Sequence, residues 1–230
     1  MREFVESSVY FGVFLSAAAY MIGAKLQKKT GFVLFNPLLI AVVITMGVLL
    51  MLDIPYAAYL RSADLIGRML TPATICLAVP LYDQLPLLKK NWRAVMLGIV
   101  SGVMTSLCVV LLLSVIFGLD HAMYVTLLPK SITSAIGLGV CEELGGYGSI
   151  CVAVIILSGI LGNMFAAGAC RLLRITDPLA RGVAIGTSSH AIGTAKAIEL
   201  GEVEGAMSSL SIVVSGLLTV ALAPLFAALL

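Results

Sequence analysis

Five stretches of this chain carry no charged residue over lengths that suit a bilayer crossing: Ser7 to Ala24, Thr30 to Leu52, Ala94 to Leu119, Leu144 to Cys170 and Gly205 to Leu230. At ~1.5 Å rise per residue the longer ones exceed the ~30 Å hydrocarbon core and span it with some tilt. Backbone N–H and C=O groups find no water at that depth, so the helix, which satisfies them locally, is the element such stretches form. Composition agrees. Charged residues make up 11% of the chain, against about a quarter in soluble domains, and the mean hydropathy is +1.11. The chain reads as an all-α polytopic membrane protein, one integral membrane domain over residues 1–230.

The first stretch is short enough to resemble a signal peptide, but its leader MREFVESS is charge-balanced and the basic residues Lys25, Lys28 and Lys29 follow it, so it reads as a retained first helix with its N-terminus outside. Cys76, Cys108, Cys141, Cys151 and Cys170 stand singly, without CxxC spacing, and only two histidines are present. Neither a disulfide framework nor a metal site is expected, and no cofactor is implied. A net charge of +2 with no basic block among aromatics gives no reason to expect nucleic acid as a partner.

Three further segments are apolar yet interrupted: Met69 to Tyr82 with Pro72 and Pro80, Ala122 to Cys141 with Pro129, and Gly182 to Ala195 with Gly186 and Gly193. Proline removes a helical hydrogen bond and glycine loosens the backbone, so these predict broken or re-entrant helices. Breaks of this kind expose helix N-termini that hold anions near the membrane midplane. Ordinary kinks in packed helices are the plainer alternative.

The chain also resembles itself. Ile99 to Thr105 reads IVSGVMT and Val213 to Thr219 reads VVSGLLT, each in a long apolar run preceded by a broken segment starting at a proline. This suggests two repeats, about 30–119 and about 144–230, with a re-entrant segment at about 120–146 between them. Placing the basic clusters Lys25 to Lys29, Lys89 to Arg93 and Arg171 to Arg181 in the cytoplasm gives the repeats opposite senses, with Lys130 near the tip of the re-entrant segment. Tyr56 to Arg68 reads as an interfacial amphipathic helix.

Residues 182 to 209, GVAIGTSSHAIGTAKAIELGEVEGAMSS, are strange company for so apolar a chain, and suit an internal pathway better than a lipid face. Together with LLPKSITSAIG at 127 to 137 and TPATICLAVPLY at 71 to 82, this tract resembles the signature stretches of the LrgB/CidB family of bacterial membrane proteins. The likeness runs from about Phe32 to the C-terminus. It implies a multi-pass protein of the bacterial cytoplasmic membrane, a role in modulating murein hydrolase activity and autolysis, and pairing with a small holin-like LrgA/CidA protein. Relatives are associated with transport of small monocarboxylates such as pyruvate, and the plastid glycolate/glycerate translocator fuses an LrgA-like half to an LrgB-like half, of which this chain resembles only the second. A homo-oligomer is expected.

The residues themselves suit a small organic anion. Lys130, Ser131, Thr133 and Ser134 offer a positive charge and donors after the break at Pro129, and Ser188, Ser189, His190 and Thr194 offer a second set. His190 suits a proton-linked step, with Glu199 as the next candidate for coupling. Plainer readings stand beside these: Lys130 as a snorkelling topology anchor, the hydroxyls as helix-packing residues, His190 as a hydrogen-bonded structural residue. A secondary transporter accounts for repeats, breaks and polar tract together. A holin-like or antiholin-like pore component is the alternative. A Ser/His hydrolase lacks an orienting acid, so no enzyme is expected.

Overall fold

The computed structural model describes residues 8, 10–30, 35–69, 72, 75–76 and 78–230. Most of the leader before the first helix, the start of the Thr30 to Leu52 stretch, and much of the break around Pro72 lie outside the described residues. Every regular element among the described residues is a helix. Contacts divide the chain into two compact units, Met1–Cys76 and Leu77–Leu230. The expected first repeat, about 30–119, straddles this division.

In the first unit, α1 (Phe11–Thr30) packs on α2 (Pro37–Met51) and α3 (Tyr56–Arg68). Asn36 starts α2, its side chain accepting from the N–H groups of Leu38 at 2.9 Å and Leu39 at 3.3 Å, with Pro37 at the first helical position where its missing N–H costs nothing. The Gly12 N–H donates to Ser62 Oγ at 2.9 Å, and a Cβ at Gly12 would collide with the α3 backbone, so the glycine permits the contact. At 15 residues α2 reaches ~22 Å, less than the apolar stretch that contains it.

The second unit is built on α5 (Leu85–Phe117), α8 (Gly148–Leu172) and α10 (Glu202–Ala227), each long and apolar enough to cross a membrane. The short α4 (Ala78–Asp83) contains Pro80 and packs on α10. Along α5, Val95, Ile99, Val103, Leu107 and Val110 recur at helical spacing, and all are buried against residues that include Met207, Ala223 and Phe226 of α10. Asn91 interrupts α5 with non-helical backbone, its amide donating to the Leu87 carbonyl at 3.1 Å. Gly118, at φ +61°, ends the helix in the left-handed conformation that glycine adopts freely.

Two hairpins lie between these helices. The first is α6 (His121–Leu127), a turn at 128–133 and α7 (Ser134–Glu143). Proline 129 has no N–H to continue α6, and the chain turns back so that Gly137 packs on Pro129 while Thr126 Oγ1 accepts from Tyr147 N–H at 2.7 Å. Ser131 Oγ and Ser106 Oγ are 2.9 Å apart, which sets the tip ~17 Å of helix rise before the end of α5, about half a hydrocarbon core.

The second hairpin is α9 (Pro178–Leu200), which breaks at His190 with φ +42° and ψ −143°. Gly193 abuts Ser189 and Ile185 of its own helix, so the chain doubles back. Contacts with α10 confirm the reversal: Gly182 meets Glu204 and Met207 and Gly186 meets Ser208, whereas Thr194 bonds Ser208 at 2.7 Å and Ile198 meets Gly205. The first arm is therefore parallel to α10 and the second antiparallel. The expected breaks at Gly186 and Gly193 are displaced to the residue between them. Both glycines are helical, and Gly186 serves instead to bring the α10 backbone close.

Gly98 meets Val183 and Gly102 meets Thr187, so α5 and the first arm of α9 run in the same direction, while Gly159 against His190 and Gly162 against Ser189 make α8 run oppositely. A long helix followed by a hairpin thus occurs twice in opposite senses, α5 with the Lys130 hairpin and α8 with the His190 hairpin. This alternation does not use the boundaries expected for repeats, and an inverted duplication stays an expectation. It does place Lys89, Lys90 and Arg93 at the same end as Arg171, Arg174 and Arg181. Cysteines introduced at Asn91 and Arg174 in a cysteine-free background are expected to resist an impermeant thiol reagent in intact cells, and one at Asp120 to react. Opposite reactivity at 91 and 174 would contradict this arrangement.

Candidate functional site

A groove of about 930 Å³ runs between α5 and the first arm of α9, closed at one end by the tip of the Lys130 hairpin. Small residues make room for it: Ala94, Gly98 and Gly102 on α5 and Ala180 and Ala184 on α9. The helices touch where a Cβ at Gly98 would lie 3.1 Å from Val183 and one at Gly102 2.7 Å from Thr187, the close approach that small residues four apart allow.

Polar groups gather at the tip. Lys130 is half-buried, its ammonium donates to Ser131 Oγ at 3.1 Å, and Ser131 Oγ is in turn bonded to Ser106 Oγ. Among the described residues no carboxylate pairs with Lys130. Thr187 is 5% exposed and its hydroxyl is buried with no hydrogen-bond partner among the described residues. At the other end lie Asn91 and Asp177, whose carboxylate is occupied in capping α9 through the Ala180 N–H at 2.9 Å. A half-buried ammonium with its attached hydroxyls is a donor set that suits an oxyanion, and the Thr187 hydroxyl is buried behind it.

Of the residues singled out in the sequence, Lys130, Ser131 and Ser188 line this one groove, although they come from two separate hairpins. Thr133 and Ser134 open α7 just beyond the tip, Thr133 in the N-cap position. Ser189 is buried against Gly162 and bonds Ser188 Oγ at 3.0 Å, one step from the groove. His190 is 3% exposed, with Nε2 2.9 Å from the Ile155 carbonyl of α8, and Thr194 Oγ1 donates to the His190 carbonyl at 2.9 Å. Ile155 also packs its side chain on Gly137, so both hairpins meet α8 at this residue. Asn163 Nδ2 donates to the Ile192 carbonyl at 2.8 Å, tying the start of the second arm to α8. Glu199 is exposed and pairs with Lys196 at 2.7 Å. Pro72 is exposed. Among the described residues no cluster of three or more metal-ligating side chains occurs.

Ser106, Thr187, Asn91 and Asp177 escaped the sequence reading. Thr187 was within reach, since a helix over the GTSSH tract puts it on the face of Val183 and Ala184. Ser106 lies one turn past Gly102, but its link to Ser131 depends on a contact between distant segments.

The family model described as LrgB-like family matches residues 16–229. The chain is 40% identical over 220 residues to the antiholin-like protein LrgB of Bacillus subtilis, an alignment covering 95% of each chain. It is 38% identical over 218 residues to the proteins of the same name from Bacillus cereus and Bacillus anthracis, covering 94% of this chain and 95% of theirs. No solved structure matches the chain at a significant level.

Proposed function

The chain belongs to the LrgB-like family, and on that premise we propose that it is an antiholin-like membrane protein acting with an LrgA/CidA-like holin-type partner to restrain murein hydrolase activity and autolysis. The observation that carries this is the shared name of relatives that align end to end with it at 38–40% identity. That name supports the antiholin-like alternative ahead of the carrier preferred from sequence. The bacterial cytoplasmic membrane is the proposed location, and a homo-oligomer the proposed state. Disrupting the gene in its host is expected to hasten lysis when murein hydrolases are induced, and the wild-type gene in trans to restore the slower course. Unchanged lysis would count against this reading.

One observation favours a second reading, a secondary transporter for small monocarboxylates such as pyruvate or glycolate: two hairpins from opposite ends bring Lys130, Ser131, Thr187 and Ser188 to a common groove at mid-helix depth. Transporters build anion sites from such broken elements. Liposomes containing the purified protein separate the readings. Saturable, selective uptake of a carboxylate marks a carrier, unselective dye leakage a pore component, and neither a regulator that needs its partner.

Within the carrier reading, His190 at the hairpin tip is the proposed proton-coupling residue. Imidazole titrates near pH 6.5 in water, and a bound carboxylate favours the charged ring, so proton and anion should bind with mutual preference. Binding of an always-ionised analogue is expected to tighten at acid pH in wild type and to lose that dependence in His190→Gln. A variant that titrates like wild type leaves His190 as a structural tip residue, and coupling then passes to Glu199.

A further inference from the structure

The groove is longer and more apolar than a compact hydroxy acid fills. Leu87 and Val109 of α5 both line it, which spans ~33 Å of helix rise, and its donors are concentrated at the Lys130 tip. From there toward Asn91 the walls are Gly98, Val183, Ala184, Ala94, Leu179 and Val203. A small oxyanion would occupy the donor set and leave most of this apolar surface uncovered.

An extended hydrocarbon chain matches the continuous apolar lining along this length. Ala94, Thr105, Val109 and Ala184 are exposed, so the groove is open along one side, the route by which a chain enters from lipid.

Charge decides the head group. Among the described residues Lys130 has no carboxylate partner, and the buried Thr187 hydroxyl near Gly102 has no hydrogen-bond partner. An apolar tail alone would leave the half-buried Lys130 ammonium without a counter-charge, at the cost that an uncompensated buried charge carries.

We infer that the groove binds a medium- to long-chain monocarboxylate, its carboxylate on Lys130 and Ser131 and its chain lying between α5 and α9 toward Asn91. This rests on the groove being an anion site and names the class of anion. The head is the part that a small acid shares, and the chain is what the groove adds.

The test is competition binding to the purified protein in nanodiscs, with butyrate, octanoate and palmitate at corrected free concentrations and the alcohols of equal chain length in parallel. Wild type is expected to gain about threefold to fourfold in affinity for each methylene buried, with each carboxylate well ahead of its alcohol. Ala184→Phe fills the groove ~12 Å from Ser106 along α5, at the level of Gly98. Its unfolding midpoint in detergent certifies its fold, and it is expected to flatten the gain for palmitate. If Ala184→Phe does not fold, Ala94→Phe replaces it, with the loss confined to the longest chain. Affinity independent of chain length overturns the inference and leaves the anion site standing. An equal gain in wild type and the groove-filled variant reports partition into lipid and also overturns it. Alcohols binding as tightly as carboxylates, or no carboxylate binding at any length, overturn the anion site itself.

Discussion

Arg181→Ala is expected to destabilise the protein by ~3 kcal/mol, seen as a lower unfolding midpoint in detergent. Arg181 Nη2 lies 3.0 Å from Glu204 Oε1 and also donates to the Thr176 carbonyl at 3.2 Å, joining the start of α9 to the start of α10. The Glu204 side chain is only 6% exposed, so removing the guanidinium strands a carboxylate with little water to replace it. Loss of one partner from a buried pair costs ~3–5 kcal/mol, and the 28% exposure left to Arg181 places this pair at the lower end. Lysine is a poor replacement, because a single ammonium cannot reproduce the guanidinium fork. Removing both charges in Arg181→Leu/Glu204→Leu should recover most of the loss, since the penalty comes from the stranded charge rather than from the bond. A double variant as unstable as the single one would show that the pair itself holds the hairpin base together.

How much of this was legible in sequence depended on how local the cause was. The break at Pro129 was legible because a missing N–H acts on its own helix. The break in α9 was placed on Gly186 and Gly193 because glycine is the usual sign of a loosened backbone, yet Gly186 is there for the Ser208 backbone of α10 to approach, and the turn falls on His190. A glycine that permits a turn and one that permits a close contact look alike in sequence. Lys130, Ser131 and Ser188 were legible as odd polar residues in an apolar chain, but the pairing of Gly98 with Val183 and of Gly102 with Thr187, which makes the groove, joins residues some eighty positions apart. The three long helices were legible from the absence of charge. That α9 doubles back instead of crossing was not, because its two arms have the composition of one interrupted helix.

Lys130→Gln is expected to weaken anion binding by roughly 30-fold to 1,000-fold, the equivalent of ~2–4 kcal/mol, within the cost of truncating one member of a buried charged pair. Glutamine keeps the length and one donor, so it isolates the charge. The Ser131 and Ser106 hydroxyls are bonded to each other at 2.9 Å and do not depend on the ammonium for a partner, so the tip should keep its geometry and the variant its thermal stability. Lys130→Arg is a demanding control, because a guanidinium is broader than an ammonium and the tip is confined between Pro129 and the buried Ser131 and Ile132. Ser188→Ala removes a hydroxyl on the exposed side of the groove that already has Ile185 and Ser189 as partners, and should cost a few-fold at most. The plainer reading, in which Lys130 only anchors topology, predicts the reverse pattern. Affinity would then be unchanged in Lys130→Gln, while a cysteine at Asp120 would alter its reactivity toward an impermeant reagent as the hairpin loses its anchor. Depth makes the two outcomes separable: a lysine bonded to Ser131, itself held to Ser106 ~17 Å of helix rise from the end of α5, is too deep to reach the headgroups easily, and a charge held there with no carboxylate partner among the described residues suits the proposed anion.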